Sequence, residues 1–195
     1  IRSACGGDAD RMKDMILGIV RERGKLQTPV TGSGGMLVGT VREIGPAFPD
    51  KKLAVGDRSA TLVSLSLTPL SIEKILRLDP ESDQVDVEAR AILFESGIYA
   101  HMPPDLPEKL ALAVLDVAGA PAQVDRLVKE GDTVCIIGGG GKSGVLCCYQ
   151  AMKNTGPYGK VIVVEYSPEN ARRLRDMRLA TAVIVAAATN AIDVY

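Results

Sequence analysis

A run of four glycines, lying between a segment of strand character and one of helical character, constrains the fold of this chain most. Residues 133–144 read TVCIIGGGGKSG, and a helical pattern begins near Lys142. Glycines that lead directly from a strand into a helix let the backbone turn tightly and come close to a phosphate group. The stretch therefore predicts either a dinucleotide-binding turn or a triphosphate-binding loop.

The spacing of the glycines separates these two alternatives. A triphosphate loop needs a glycine, four further residues and then Gly-Lys-Ser or Gly-Lys-Thr. Residues 141–143 supply the end of that motif, but Ile136 stands where its first glycine belongs. Gly139, Gly141 and Gly144 match the dinucleotide pattern G-x-G-x-x-G. The spacing favours the dinucleotide turn, and a distorted triphosphate loop is the alternative.

The pattern assigns a role to each matching residue. Gly139 permits the tight turn, Gly141 lets the backbone approach a pyrophosphate, and Gly144 lets the helix pack closely on the strand. Glu165 ends the next apolar strand about 20 residues later, where an acidic side chain binds the adenosine ribose. Lys142 is either a phosphate contact or a solvated surface charge. Gly138 and Gly140 are either part of the site or turn filler.

The acidic residue also bears on the choice of cofactor. The Glu165 carboxylate repels a 2′-phosphate, so the predicted cofactor is NAD, with NADP as the alternative because Arg172 and Arg173 lie close by in the sequence. The predicted cofactor-binding residues are Gly139, Gly140, Gly141, Lys142, Ser143, Gly144, Glu165, Tyr166 and Ser167.

The two halves of the chain have different patterns. Two helices are predicted where the second half begins, at about 107–118 and 121–129, and the chain is predicted to continue as strand, helix, strand, helix, strand. Apolar strands separated by helices are typical of a parallel sheet covered on both faces. Residues 1–108 have one predicted helix, 9–24, and short strands at 36–45 and 59–67. VEARAILFESG (87–97) is a third strand or a short helix.

Composition excludes several function classes. The net charge is −1 and there is no Trp, which argues against a nucleic-acid partner or an anionic membrane surface. No apolar stretch is long enough to span a bilayer. The four cysteines contain no C-x-x-C pair and are predicted to be reduced, buried thiols. A cytoplasmic protein is expected.

The order of these features resembles the medium-chain dehydrogenase/reductase superfamily. GTVREIGPAFPDKKLAVGDR (39–58) is similar to a segment of its catalytic GroES-like domain, and VKEGDTVCIIGGGGKSG (128–144) to its dinucleotide turn. The resemblance implies an α/β fold, with a β-rich GroES-like domain in residues 1–108 followed by a Rossmann parallel-sheet domain in 109–195. We expect both domains to be incomplete, the second lacking its C-terminal half.

Departures from that superfamily concern the catalytic zinc. Cys5 matches the first zinc ligand, but residues 34–36 (GGM) stand where the superfamily has Gly-His-Glu. His101, the one histidine, is more typical of a structural residue than of a ligand. The resemblance therefore implies a zinc-independent enzyme with no bound metal.

Within the superfamily, the second half is most similar to enzymes of lysine fermentation that oxidatively deaminate a small amino acid with two amino groups. The resemblance implies carboxylates that hold an ammonium group and remove a proton. Asp116 is the first candidate, because its segment borders the nicotinamide in the superfamily; Asp8 and Glu95 follow. Each is otherwise a surface or capping carboxylate. The alternatives are a zinc-free ketone or enone reductase and a non-catalytic dinucleotide-binding module.

The resemblance also implies an oligomer. The superfamily's usual dimer-forming strands would lie beyond Tyr195, so we expect a homodimer for the full-length protein and weak cofactor binding without turnover for residues 1–195 alone.

Overall fold

A computed structural model describes residues 1–190 and 192. The chain divides into two compact units, the first comprising Ile1–Glu108 and the second beginning at Lys109. The helices are α1 (Ala9–Arg23), α2 (Glu108–Leu115), α3 (Gly119–Leu127), α4 (Lys142–Thr155) and α5 (Pro168–Asp176). The strands are β1 (Met36–Thr40), β2 (Arg58–Leu62), β3 (Leu70–Asp79), β4 (Gln84–Ala91), β5 (Tyr99–His101), β6 (Thr133–Ile137), β7 (Lys160–Glu165) and β8 (Ala182–Val185).

The first unit is built from antiparallel strands. Among the described residues, β1, β2 and β5 form one sheet in the order β1-β2-β5, and β3 pairs with β4 as a hairpin. Helix α1 packs on β3 through a small apolar core of Val20, Val63 and Leu70. Its buried residues Met12, Ile16 and Val20 recur every four positions, which is the helical period that the sequence shows.

Local sequence signals fix α1 well and the strands less well. Helix α1 ends where predicted, with Gly24 in the left-handed region at φ 65°. The predicted strand 36–45 ends at Thr40, and 59–67 ends at Leu62. Of the segment with two alternatives, 87–97, residues 87–91 belong to the strand β4 and residues 92–97 form a loop with a turn. The pattern does not predict β3, because register shifts between Ile72 and Lys74 and between Ile75 and Arg77 break the alternation of its side chains.

The second unit contains the parallel sheet. Strands β6, β7 and β8 pair in sequence order within the described residues, with α4 following β6 and α5 following β7. The buried side chains between sheet and helices are Cys148, Ala151, Val161, Val163 and Leu174. This arrangement brings the carboxyl ends of β6 and β7 together at one edge of the sheet, where open α/β sheets bind ligands.

The prediction that all four cysteines are buried is wrong for one of them. Cys5 and Cys148 are buried and Cys147 is half-buried, but Cys135 is exposed. Cys135 lies on β6, where exposed side chains alternate with half-buried ones, so it points to the face of the sheet that the described residues leave open to solvent. Burial raises the pKa of the Cys148 thiol to about 11, which keeps it protonated and unreactive.

In the part of the chain that the structure describes, no helix has the length and apolar character needed to cross a bilayer.

Candidate functional site

The turn between β6 and α4 needs glycine at more positions than the G-x-G-x-x-G pattern contains. Gly138 lies in the left-handed region at φ 74°, and its N–H donates to the carbonyl of Val164 at 2.8 Å. A Cβ on Gly139 would lie 2.4 Å from Cγ1 of Val163 and 3.2 Å from Sγ of Cys148. Gly138 therefore makes the tight turn that was assigned to Gly139, and Gly139 allows close packing on β7.

The remaining two glycines of the pattern differ from each other. A Cβ on Gly144 would lie 2.5 Å from the carbonyl oxygen of Gly138 and 2.6 Å from Cα of Gly139, so the first turn of α4 presses on the turn backbone. A Cβ on Gly141 would meet only the Gly138 oxygen, at 3.9 Å. Gly144 is required by the fold of the turn, whereas Gly141 leaves space beside the backbone.

Gly141 is also the N-cap of α4. Its backbone is extended, with φ −76° and ψ 169°, and no side chain of the described residues caps the first turn of the helix. Lys142 begins the helix, and Ser143 is half-buried in the same turn. The free N–H groups of a helix N-terminus and its partial positive charge favour an anion. An open backbone, an uncapped helix and a lysine therefore meet at one place.

The carboxylate of Glu165 is fixed against this turn. Glu165 ends β7 and is 7 % exposed. Its Oε1 accepts a hydrogen bond from the N–H of Ser167 at 2.9 Å, and its Oε2 accepts one from the N–H of Gly140 at 2.7 Å. The hydrogen bonds from Ser167 and Gly140 hold the pKa of Glu165 below its ordinary value, although burial acts in the opposite direction. The side chain is therefore an ordered anion.

Gly140 is not turn filler. A Cβ at this position would lie 2.4 Å from Cβ of Asn170 and 2.7 Å from Oε2 of Glu165. Asn170 lies in the first turn of α5, and its N–H donates to the hydroxyl of Ser167, the N-cap of that helix, at 3.3 Å. The structure thus brings Gly140, Glu165 and Ser167 together, with Asn170 beside them. Tyr166 follows Glu165 and is 78 % exposed.

The first candidate for catalysis, Asp116, lies in the turn that follows α2. Its Oδ2 forms an ion pair with Nζ of Lys142 at 2.9 Å. The Asp116 side chain is 35 % exposed and that of Lys142 is 51 % exposed. The carboxylate is therefore only partly buried. Lys142 compensates its charge on one side and water reaches it on the other, so it is not an unpaired buried charge.

The other two candidate carboxylates, Asp8 and Glu95, belong to the first unit. Asp8 is the N-cap of α1, and its Oδ1 accepts hydrogen bonds from the N–H groups of Asp10 and Arg11 at 3.0 and 2.9 Å. Glu95 lies in an exposed turn after β4. Asp8 has the capping role that was its alternative, and its position before a helical segment is the signal for it.

Sequence reasoning missed Asn170 and left Gly138 undecided. Gly138 could be found from its position directly after the strand, where the chain must reverse direction. Asn170 has no motif, because its packing against Gly140 depends on how α5 returns to the sheet.

The histidine of the chain has a structural environment. His101 Nε2 lies 3.0 Å from Oδ2 of Asp50, and the hydroxyl of Tyr99 donates to the same oxygen at 2.6 Å. Within residues 1–190 and 192, no group of three or more His, Cys, Asp and Glu side chains is placed where it could hold a metal ion.

Comparison with known proteins identifies relatives of both units. A family model described as the L-erythro-3,5-diaminohexanoate dehydrogenase N-terminal domain matches residues 1–103. Two curated relatives named L-erythro-3,5-diaminohexanoate dehydrogenase match all of this chain. The relative from Acetoanaerobium sticklandii is 51 % identical and that from Fusobacterium nucleatum 53 %. The chain spans 57 % and 56 % of their respective lengths.

Solved structures confirm the predicted fold class. An alcohol dehydrogenase superfamily protein from Novosphingobium aromaticivorans matches 85 % of this chain and 44 % of its own, with a TM-score of 0.52 and 24 % identity. Mycobacterial Rv1454c, solved as a complex with NADPH, matches 79 % of this chain and 41 % of its own, with a TM-score of 0.53 and 22 % identity. The fold is mixed α/β, with antiparallel strands first and a parallel sheet after them, as in these oxidoreductases.

Proposed function

Because the chain belongs to the L-erythro-3,5-diaminohexanoate dehydrogenase family, we propose that its full-length protein oxidatively deaminates L-erythro-3,5-diaminohexanoate in lysine fermentation. The products are 5-amino-3-oxohexanoate, ammonia and reduced nicotinamide cofactor. The observation that carries the proposal is the 51–53 % identity to relatives of that name over the whole chain. A dehydrogenase of this kind needs a dinucleotide site, and the second unit has the features of one.

The residues at the carboxyl ends of β6 and β7 fit a dinucleotide. Gly141 leaves the backbone open where a pyrophosphate would come close, and the first turn of α4 offers N–H groups without a side-chain acceptor. Lys142 and Ser143 would contribute further donors. Glu165 would accept hydrogen bonds from the adenosine ribose through the lone pairs that its two backbone donors leave available. Tyr166 and Ser167 flank that position.

We propose NAD as the cofactor, with NADP as the alternative. The Glu165 carboxylate is ordered and anionic, so a 2′-phosphate beside it would be repelled. Two cations on α5 support the alternative. Arg173 donates to the side-chain oxygen of Asn170 at 3.4 Å, and Arg172 precedes it on an exposed turn of the helix.

Asp116 is the residue that we propose as the carboxylate for the substrate amine. A bound nicotinamide would supply the acceptor for the hydride that leaves C3. For C3 to lose hydride, its ammonium group must first lose a proton to a base; water then adds to the resulting iminium, and ammonia leaves. Asp116 already holds one alkylammonium group, that of Lys142, so its environment suits such a partner. Asp8 and Glu95 rank behind it, and no metal is part of the proposal.

The test is an assay of the full-length protein with 3,5-diaminohexanoate and NAD or NADP, following reduced cofactor by absorbance and ammonia in parallel. Equal amounts of reduced cofactor and ammonia are expected, with the higher rate for NAD. Cofactor reduction without ammonia would overturn the deamination, and a ketone or enone substrate would then be screened. The proposed homodimer is tested in the same preparation by light scattering.

A further inference from the structure

The ion pair of Lys142 and Asp116 joins two residues that the proposed function gives to different ligands. Lys142 is the first residue of α4, where the dinucleotide pyrophosphate would lie, and Asp116 follows α2. Their charged atoms are 2.9 Å apart. One cation thus stands between the Asp116 carboxylate and the position proposed for the pyrophosphate.

The contact is chemically the same as the one expected with the substrate. Lys142 offers a primary alkylammonium group, and diaminohexanoate carries two such groups. The Asp116 carboxylate is partly exposed and accepts the lysine ammonium. It can accept a substrate ammonium through the same kind of hydrogen bond and charge attraction. While Lys142 occupies Oδ2 of Asp116, the substrate must compete with it.

The arrival of the cofactor changes this competition. A pyrophosphate brings negative charge to the N-terminus of α4, next to the backbone of Lys142. A partly exposed ion pair contributes little to stability, and the lysine stem is flexible enough to redirect its ammonium. We propose that Lys142 exchanges Asp116 for the cofactor pyrophosphate, and that the freed Asp116 carboxylate is the binding site for an alkylammonium group of the substrate. This inference rests on the proposed function.

The exchange makes a prediction about cofactor binding alone, without substrate. In NADH titrations of the full-length protein followed by fluorescence, Asp116→Asn should tighten NADH binding about two- to fivefold, because it releases Lys142 from a competing partner. Lys142→Gln should weaken it about tenfold. In the Lys142→Gln background, adding Asp116→Asn should not change NADH affinity, because there is no lysine for it to release. In the Lys142→Arg background, which keeps the positive charge, Asp116→Asn should again tighten NADH binding.

A charge control separates the exchange from a general effect of removing a carboxylate. Glu130 is exposed and lies before the first strand of the parallel sheet, at the edge opposite the glycine turn. Glu130→Gln should leave NADH affinity unchanged. Equal tightening by Glu130→Gln and Asp116→Asn, or an Asp116→Asn effect that persists in the Lys142→Gln background, would overturn the exchange.

Substrate binding tests the second half of the inference. NADH with 3,5-diaminohexanoate forms a complex that cannot react, so its affinity can be measured by calorimetry. NADH should tighten substrate binding at least about threefold in the wild type and not in Lys142→Gln, in which Asp116 is already free. Equal substrate affinity with and without NADH in the wild type would overturn the inference. No substrate binding under either condition would overturn the proposed substrate, while the exchange would still be decided by the NADH titrations.

Discussion

Glu165 and Asp50 are carboxylates with a lowered pKa whose hydrogen-bond partners are of opposite kinds. Glu165, in the second unit, is held by the backbone N–H groups of Ser167 and Gly140. Asp50, in the segment between β1 and β2 of the first unit, is held by the side chains of Tyr99 and His101. The hydrogen bond from Tyr99 is the largest cause of the lowered pKa of Asp50.

Backbone partners and side-chain partners indicate different roles for the two carboxylates. Backbone N–H groups do not titrate, so the place and charge of Glu165 are set by the fold of β7, α5 and the glycine turn. Such preorganised anions suit a binding site. The partners of Asp50 are side chains that can be deleted one at a time, and they attach an exposed loop to β5. Asp50 therefore serves the local structure of the first unit.

The largest expected effect comes from breaking the backbone frame around Glu165. Gly144→Val should destabilise the second unit by about 3 kcal/mol or more, because its side chain would collide with the backbone at Gly138 and Gly139. Thermal unfolding followed by circular dichroism would measure the loss.

The matched control is Gly141→Ala, whose Cβ meets only one oxygen at 3.9 Å. It should change stability by less than about 1 kcal/mol and still weaken NADH binding. Equal unfolding midpoints for the two variants would contradict the packing assigned to the turn.

A smaller effect is expected from neutralising Glu165 without changing its size. Glu165→Gln removes the negative charge proposed to repel a 2′-phosphate, and it replaces one of the two oxygens proposed to accept from the ribose with an amide NH2 group. The ratio of kcat/KM with NAD to that with NADP should fall about tenfold or more. Glu169→Gln, on the exposed first turn of α5, is the control and should leave the ratio unchanged. A ratio that stays constant in Glu165→Gln would remove this residue from cofactor choice.

Acid stability distinguishes the two carboxylates through their partners. The pKa of Asp50 lies below its ordinary value of 3.8, so its stabilising contribution is present above that pH and is lost as pH falls toward the lowered value. Tyr99→Phe removes the main donor, so the variant should unfold at a lower temperature than the wild type near pH 6. The difference between the two unfolding midpoints should become smaller below about pH 4. Unfolding midpoints between pH 3 and 7 would show this. A gap that does not depend on pH would mean that Tyr99 acts by packing alone.

The smallest expected effect is spectroscopic. The hydrogen bond to Asp50 raises the pKa of Tyr99 to about 12. The stabilisation that this hydrogen bond gives the folded state is therefore complete below pH 10 and is lost as pH rises through 12. Titration of tyrosinate absorbance should show one tyrosine that ionises at a higher pH in the wild type than in Asp50→Asn. Identical titration curves would contradict the contact.

Much of the second unit could be predicted from the sequence, because its signals are local. The order of strands and helices follows from apolar runs and the glycine turn, and Glu165 was found by its distance from that turn. Helix α1 was equally clear from its apolar period and Gly24. The hairpin β3–β4 was harder, since its bulges interrupt the alternation on which strand prediction depends.

Contacts between distant segments were decided by the tertiary structure. The sequence alone was enough to predict that a strand, four glycines and a helix follow one another and that an acidic residue ends the next strand. It could not determine that Gly138 makes the left-handed turn and Gly139 the close packing, because both roles depend on where Val163 lies. It also could not pair Lys142 with Asp116, 26 residues earlier in the chain. The hydrophobic period and the spacing of motif residues report on neighbours along the chain. The partner of a charged side chain depends instead on which distant segments the fold brings into contact.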